Sequence, residues 1–325
     1  MRVLVTGGAG YIGSVAVEQL LAAGHSVSVL DNLWRGHAAA VSPDAELHVR
    51  DLRDAPGVEE VFAKSRPEAV MHFAAATIVP ESMTEPGLYF DINVAGTHNL
   101  LKACRDAGTE RFIFSSTAAV YGEPERVPVT ESAIPRPINV YGQSKLMVER
   151  MLEAYSQAHG LRYAAFRYFN VGGASAEHGE DHDPETHVIP VALLTLLGQR
   201  PRFNLFGTDY PTPDGTAIRD YVHVLDLVDA HIRALDHLDS SLGPINLGSR
   251  AGFSVQEIVA AIEEVTGRQL PVERNPRRSG DPPMLVADAG RAKALLGWEP
   301  RRSSLAEMIG SAWNWLHRHP NGYAT

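Results

Sequence analysis

Tyr141 and Lys145 stand four residues apart in Tyr141-Gly142-Gln143-Ser144-Lys145. On a helix this spacing puts a phenol and an ammonium on one face. Alone, the pair also fits an exposed tyrosine beside a solvated lysine. Upstream, the apolar run Phe112-Ile113-Phe114 ends in the hydroxyls Ser115-Ser116-Thr117. Thr117, Tyr141 and Lys145 together have the types needed to oxidise a secondary alcohol. Removing hydride from the carbon requires taking the hydroxyl proton too. Free tyrosine titrates near about 10, so little phenolate exists at neutral pH. An adjacent ammonium and a cationic nicotinamide both favour phenolate. Bringing the phenol to about 7 takes roughly 4 kcal/mol of differential stabilisation. Thr117 is expected to hydrogen-bond the substrate oxygen and help relay the proton.

Such chemistry needs a hydride acceptor. Val3-Leu4-Val5-Thr6 leads into Gly7-Gly8-Ala9-Gly10-Tyr11-Ile12-Gly13 and then a helical pattern. Gly8, Gly10 and Gly13 fit one glycine register, and Gly7, Gly10 and Gly13 fit a looser one. Either allows a tight turn and close backbone approach of a pyrophosphate to a helix N-terminus. The bland alternative is a tight strand-to-helix turn, but a second strand follows and ends on Asp31, near the spacing of the dinucleotide fingerprint. A carboxylate there accepts ribose hydroxyls and repels a 2′-phosphate, which favours NAD over NADP. Arg35 could argue for NADP; a solvated loop arginine is the simpler reading, since Asp31 already holds the strand end.

These residues require a sheet whose strand ends share one crevice. Strands are predicted at Val3–Thr6, Ser26–Leu30, Leu47–Val49, Ala69–His72, Phe112–Ser115 and Tyr163–Arg167. Helices are predicted at about Tyr11–Ala23, Gly57–Ser65, Pro86–Ala107 and Asn139–His159. Continuous apolar strands separated by helices indicate an α/β, Rossmann-type, doubly wound parallel sheet. Beyond Asn170 the sequence becomes polar and rich in loops, with helices predicted at Val188–Leu197, Leu225–His237, Val255–Thr266 and Leu305–His317. We expect a NAD-binding domain over residues 1–170 and a smaller α/β lobe over 171–325, with some segments returning to the first domain.

The chain has 325 residues, 44% hydrophobic and 21% charged, as in a soluble enzyme, and its formal net charge of -10 argues against nucleic acid or an anionic membrane as partner. The single cysteine, Cys104, excludes an internal disulfide and reads as a packed side chain. No secretory leader is expected, because glycines soon interrupt the apolar start. No membrane span is expected either, since no run of about 18 apolar residues exists. A cytoplasmic protein is the expectation.

The chain closely resembles the extended short-chain dehydrogenase/reductase family, and within it the UDP-glucose 4-epimerases. The resemblance spans essentially the whole length: MRVLVTGGAGYIGS at 1–14, LDNLWRG at 30–36, HFAA at 72–75, FSSTAAVYG at 114–122, YGQSKLMVE at 141–149, RYFNVGGA at 167–174, FGTDYPTPDGTAIRDYVHVLDL at 206–227 and NLGS at 246–249. It implies a cycle in which NAD stays bound, Tyr141 deprotonates the sugar 4-hydroxyl, hydride leaves and returns, and C4 inverts through a 4-keto sugar. It implies UDP-galactose and UDP-glucose as substrates, with a UDP-N-acetylhexosamine or UDP-pentose as the alternative. Implied NAD contacts are Tyr11, Ile12, the loop Asp31, Asn32, Leu33, Arg35 and Gly36, then Asp51, Leu52, Phe73, Ala74, Ala75, Thr77, Asn93, Lys145 and Phe169, beside Gly7, Gly10, Gly13 and Tyr141. Implied UDP-sugar contacts are Thr117, Tyr141, Asn170, His187, Val188, Asn204, Phe206, Arg219, Arg278 and Asp281. The two arginines suit a diphosphate, because guanidinium matches phosphate oxygens. The family commonly forms homodimers through two helices, here the 86–107 and 139–159 segments.

Three positions depart from common family choices. Thr117 replaces serine but keeps the hydroxyl. Thr77 replaces a lysine found in some members. Leu285 replaces a bulkier tyrosine, and the smaller wall could admit an N-acetyl group. Related 4,6-dehydratases carry an Asp-Glu pair just after the active-site threonine; Ala118 and Ala119 stand here and count against dehydration. A non-catalytic NAD-sensing protein would not need Thr117, Tyr141 and Lys145 together, and a net dehydrogenase would release NADH. The run from Glu177 to Asp183 holds possible metal ligands without a recognised spacing, so no metal is expected. Asp226 is expected at a helix start rather than in a catalytic relay.

Overall fold

The computed structural model describes residues 1–277 and 282–323. Its first half builds β1 (Arg2–Thr6), β2 (Ser26–Asp31), β3 (Glu46–Val49), β4 (Ala69–His72), β5 (Arg111–Thr117) and β6 (Arg162–Tyr168). The later chain adds β7 (Asn170–Gly172), β8 (Phe203–Phe206), β9 (Ile218–His223), β10 (Gly243–Leu247), β11 (Gly252–Ser254), β12 (Val272–Asn275) and β13 (Met284–Leu285). Seven strands form one sheet in the order β10-β6-β5-β4-β1-β2-β3, and every pairing in it is parallel. This is a doubly wound α/β fold. The strand order reverses at β1, so a crevice opens between the ends of β1 and β4.

Alternation along each strand explains why helices cover both faces. Val3 and Val5 join one buried cluster with Val17, Leu20, Val29, Ile113, Phe166 and Leu227. Leu4 joins the opposite cluster with Val58, Phe62, Leu100, Phe112, Phe114, Val148 and Leu152. Burying both faces of a strand leaves no polar alternation, which made these runs legible as parallel strands.

Two differences from the predicted elements matter. The 86–107 run is not one uniform helix. It passes from Pro86–Tyr89 through a π-helical stretch, Phe90–Gly96, into Thr97–Ala107. The cause is tertiary. Asn93 accepts from the Ala76 amide at 2.8 Å and donates to the Ala76 carbonyl at 3.0 Å and Ser144 Oγ at 2.9 Å. The Thr97 hydroxyl donates to the Asn93 carbonyl at 2.6 Å, where the π-helical stretch passes into the α-helix. Secondly, a strand not among the predicted elements, β10, joins the main sheet from beyond residue 170, and Leu227, Ala230, Ala234 and Leu235 of the helix Val224–His237 pack in a core cluster of that sheet. The remainder forms a separate core around Leu193, Phe203, Leu205, Tyr221, Ile262, Met308 and Trp315. Among the described residues no helix is long and apolar enough to cross a membrane.

Candidate active site

The glycines after β1 divide by cause. Gly7 has φ +75, and a Cβ there would lie 2.5 Å from the Ala74 amide nitrogen. A Cβ on Gly13 would lie 2.0 Å from the Gly7 carbonyl oxygen. Both are glycine because backbone meets backbone. A Cβ on Gly8 would lie 2.7 Å from a Val29 side-chain methyl. Gly10 differs: a Cβ there would meet only Gly7 O at 3.4 Å. It caps the helix Tyr11–Ala22 without a side-chain bond, so the first-turn amides face an open cradle. That cradle fits a dinucleotide pyrophosphate. Tyr11 itself is buried, and its hydroxyl donates to the Gly173 carbonyl at 2.5 Å, which leaves backbone rather than phenol for a ligand. Ile12 is half-buried beside it.

Asp31 ends β2 and is 8% exposed. Its carboxylate accepts from the amides of Ala9 at 3.0 Å and Leu33 at 2.9 Å. Burial nevertheless raises its pKa. Leu33 is left-handed at φ 58, a conformation that the Asp31 bond holds in place. Asn32 donates to Asp51 at 2.8 Å. Arg53 grips Asp51 with two bonds of 2.9 Å, and these hold that carboxyl well below its usual range. Arg35 is partly exposed and pairs with Glu81 at 2.8 Å. Gly36 packs on Ala9, and Leu52 is buried beside Gly96. Phe73 and Ala74 follow β4, and both amides donate to the Thr6 carbonyl. Ala75 is half-buried and Thr77 exposed. The Asn93 amide is committed to Ala76 and Ser144, so it braces this loop.

Thr117 ends β5 and accepts from the Ala119 amide at 3.1 Å, which opens the short turn Ala118–Tyr121. The helix Val140–His159 begins opposite it. Asn139 caps that helix by accepting from the Gly142 amide at 2.8 Å. A Cβ on Gly142 would lie 2.6 Å from the Ala119 carbonyl oxygen, so glycine lets the helix start close on the threonine turn. Tyr141 is thereby brought into hydrogen-bonding range of Thr117. Lys145 is 2% exposed, its Nζ donates to the Ser115 carbonyl at 2.8 Å, and it lies 6.0 Å from the Tyr141 ring centroid. The three residues therefore form one group at the sheet's carboxyl edge.

The electrostatics run against a simple Lys-activates-Tyr reading. Burial pushes Tyr141 up to about 12, opposed by its bond with Thr117. Burial also pushes Lys145 down to about 7. The same desolvation penalises phenolate and ammonium alike. Positive charge carried into the pocket would act against that burial and favour the phenolate.

A buried brace holds this helix, and sequence reasoning missed it. Glu149 accepts from Ser116 Oγ at 2.6 Å and from Arg167 at 2.9 and 2.5 Å. Arg167 also donates to Tyr121 at 3.1 Å, and Tyr121 donates to Asn246 at 2.6 Å. The network ties the tyrosine helix to β5, β6 and β10. Its signal was present as polar residues in apolar patterns, but their pairing was not.

Residues expected on the sugar side are spread over the second lobe. Phe169 and Leu285 pack against the cluster of Ala118, Val120 and Tyr121 next to Thr117. Asn170 donates to the Asp220 carbonyl at 2.9 Å, and Arg219 on β9 lies in register with Leu285 on β13. Asn204 is exposed on β8, near half-buried Phe206. Arg278 and Asp281 lie outside the described residues. His187 precedes the helix that Val188 begins. Glu180, His182, Glu185 and His187 bring four possible metal-ligand atoms within 4.8 Å of one another. Here the imidazoles pair with the carboxylates: His187 with Glu180 at 2.7 Å, and His182 with Glu180 at 3.1 Å. These partners push His182 up to about 9 against burial, and raise His187 as well. Asp226 lies in the first turn of its helix and accepts from the amides of Arg301 and Arg302 and from Ser303. Cys104 is fully buried and its thiol is pushed up.

Residues 3–248 match the NAD dependent epimerase/dehydratase family. The chain is 48% identical to UDP-glucose 4-epimerase of Lacticaseibacillus casei, covering 99% of each. A crystal structure of UDP-glucose 4-epimerase superposes with a TM-score of 0.97 at 50% identity, covering 99% of each chain. The UDP-glucose 4-epimerase from Brucella ovis, crystallised in complex with NAD, superposes with a TM-score of 0.94 at 45% identity, covering 96% of this chain and 97% of that one. The open glycine cradle, the threonine–tyrosine–lysine group and full-length similarity agree, and the chain belongs to the NAD dependent epimerase/dehydratase family.

Proposed function

We propose that the protein is a NAD-dependent 4-epimerase of UDP-hexoses, interconverting UDP-galactose and UDP-glucose through a transient 4-keto sugar. The observation that carries this reading is the Thr117, Tyr141 and Lys145 group, beside an open cradle at Gly10 and followed by two alanines. When bound, NAD supplies a nicotinamide that accepts a hydride and gives it back. Gly7, Gly10, Gly13, Asp31 and the loop to Gly36 would hold its adenosine and pyrophosphate side.

The residues' work is proton transfer and orientation. Tyr141 Oη takes the proton of the sugar 4-hydroxyl as the C4 hydride leaves, and returns it as hydride comes back to the opposite face. Proton and hydride balance over the cycle, so no external redox partner is consumed. Thr117 Oγ1 fixes the 4-oxygen. Lys145, anchored on the Ser115 carbonyl 6.0 Å from the Tyr141 ring centroid, favours the phenolate in its protonated form. Ala118 and Ala119 offer no carboxylate to eliminate water. Asn170, His187, Val188, Asn204, Phe206 and Arg219, with Arg278 and Asp281, are assigned to the UDP-sugar, with the arginines at its diphosphate.

We divide the chain into a NAD-binding domain over 1–170 and a mainly substrate-binding lobe over 171–325, with β10 serving the first. We infer a cytoplasmic homodimer using the helices at 86–107 and 140–159; Met147, 46% exposed on the second, supports an outer contact face. We assign no metal to the reaction; Glu180 and Glu185 are paired with His182 and His187. Incubating purified protein with UDP-galactose tests the reaction. We expect UDP-glucose to form while absorbance at the NADH band stays flat. Isomerisation of UDP-N-acetylglucosamine alone would overturn the hexose assignment.

A further inference from the structure

The loop after β2 is tied to the segment after β4. Arg35 Nη2 donates to Glu81 Oε1 at 2.8 Å, with side chains 24% and 28% exposed. The guanidinium also lies 4.3 Å from the Trp34 ring centroid. Glu81 is held in turn: the hydroxyl of Tyr89, whose residue is fully buried, lies 2.9 Å from Glu81 Oε2 and 2.6 Å from the Ile78 carbonyl. At the other end, His37 donates to the Ala9 carbonyl at 2.9 Å, so the Arg35 loop is anchored on the glycine turn.

In the sheet, β1 lies between β2 and β4. The ion pair therefore joins the two banks of the crevice that opens at the end of β1, where the glycine cradle lies. Both banks are fixed in advance. Leu33 is left-handed and bonded to Asp31, and Glu81 sits on the short helix Val79–Thr84. A partly buried, charge-assisted bond between preset elements is worth more than a solvated surface pair.

We propose that Arg35 and Glu81 form a strap across the dinucleotide crevice, positioning residues that slow the release of NAD. The proposal rests on the NAD reading above. Its functional sense is that a cycle returning hydride to the carbon it left needs a cofactor that does not dissociate between half-reactions.

The test follows exchange of bound NAD for excess deuterium-labelled NAD by mass spectrometry. Arg35→Ala and Glu81→Gln should each speed exchange about three- to tenfold. The swap of Arg35→Glu with Glu81→Arg should restore it to within about twofold of the native protein. In native protein, raising salt from about 0.1 M to about 1 M should speed exchange, and Glu81→Gln should lose that sensitivity. The salt arm stands even where a variant folds poorly. Unchanged exchange in both single variants would overturn the strap. So would a loss in Arg35→Ala without one in Glu81→Gln, which makes Arg35 a direct phosphate ligand. Native protein that neither carries nor binds NAD would instead refute the cofactor reading itself.

Discussion

At the residue scale, the phenol is the least ready part of the site. Burial sets Tyr141 near 12 and Lys145 near 7, so its conversion into a base depends on the charge of what binds. Tyr141→Phe should lower turnover by at least about a thousandfold while NAD stays bound, read by kcat beside NAD content. Retained turnover would remove Tyr141 from the proton-transfer role. The glycines give a second contrast. Gly13→Ala drives a Cβ to 2.0 Å from backbone and should lower the thermal midpoint sharply. Gly10→Ala meets nothing closer than 3.4 Å and should weaken NAD binding while the protein without NAD keeps its midpoint. Equal losses of stability would contradict an open cradle. The spacing of Tyr141 and Lys145 was legible in the sequence, because a helix fixes which residues share a face. The shifts were not, because they come from burial by distant elements. Gly142 was visible as a glycine, but its partner Ala119 is a tertiary contact.

At the element scale, the helix that carries the tyrosine is held by a buried ion pair. Glu149→Ala would leave Arg167 charged and unpaired, 4% exposed by side chain, and should cost about 3–5 kcal/mol in denaturant unfolding. A loss below about 1 kcal/mol would reduce the brace to packing. The His–Glu group gives a pH signature. His182 is raised to about 9 from 6.5, so its contribution is fully present below about 6.5 and lost as pH rises through about 9. Glu185 is lowered, so its contribution is present above its ordinary range and lost on strong acidification. Replacing His182 with Gln should flatten the alkaline loss of the denaturation midpoint, and EDTA should change neither stability nor activity. The first six strands could be read from continuous apolar runs. The two-residue β13 and the glycine- and proline-led β10 could not, since too few residues carry a pattern. The π stretch was also hidden, because it follows from where Asn93 finds its partners.

At the scale of the molecule, the chain leaves the seven-stranded sheet after β6 and comes back to it through β10. Both parts of the site are tied to the later chain: Tyr11 of the cradle bonds the Gly173 carbonyl just after β7, and Tyr121 of the threonine turn bonds Asn246 on β10, within the main sheet. That arrangement fits the proposal that NAD and sugar meet in one site. The resemblance to known epimerases made the closed cycle legible; the motifs and strand pattern alone stopped at an α/β, NAD-using enzyme that oxidises an alcohol. The central claim is that oxidation is half of a closed cycle, and a single-pot measurement tests it. Protein as purified is given UDP-galactose in excess with no added NAD, and UDP-glucose and NADH are followed together. The account predicts many turnovers to UDP-glucose with no net NADH. Formation of NADH in step with product, or a stop after one turnover, would contradict it.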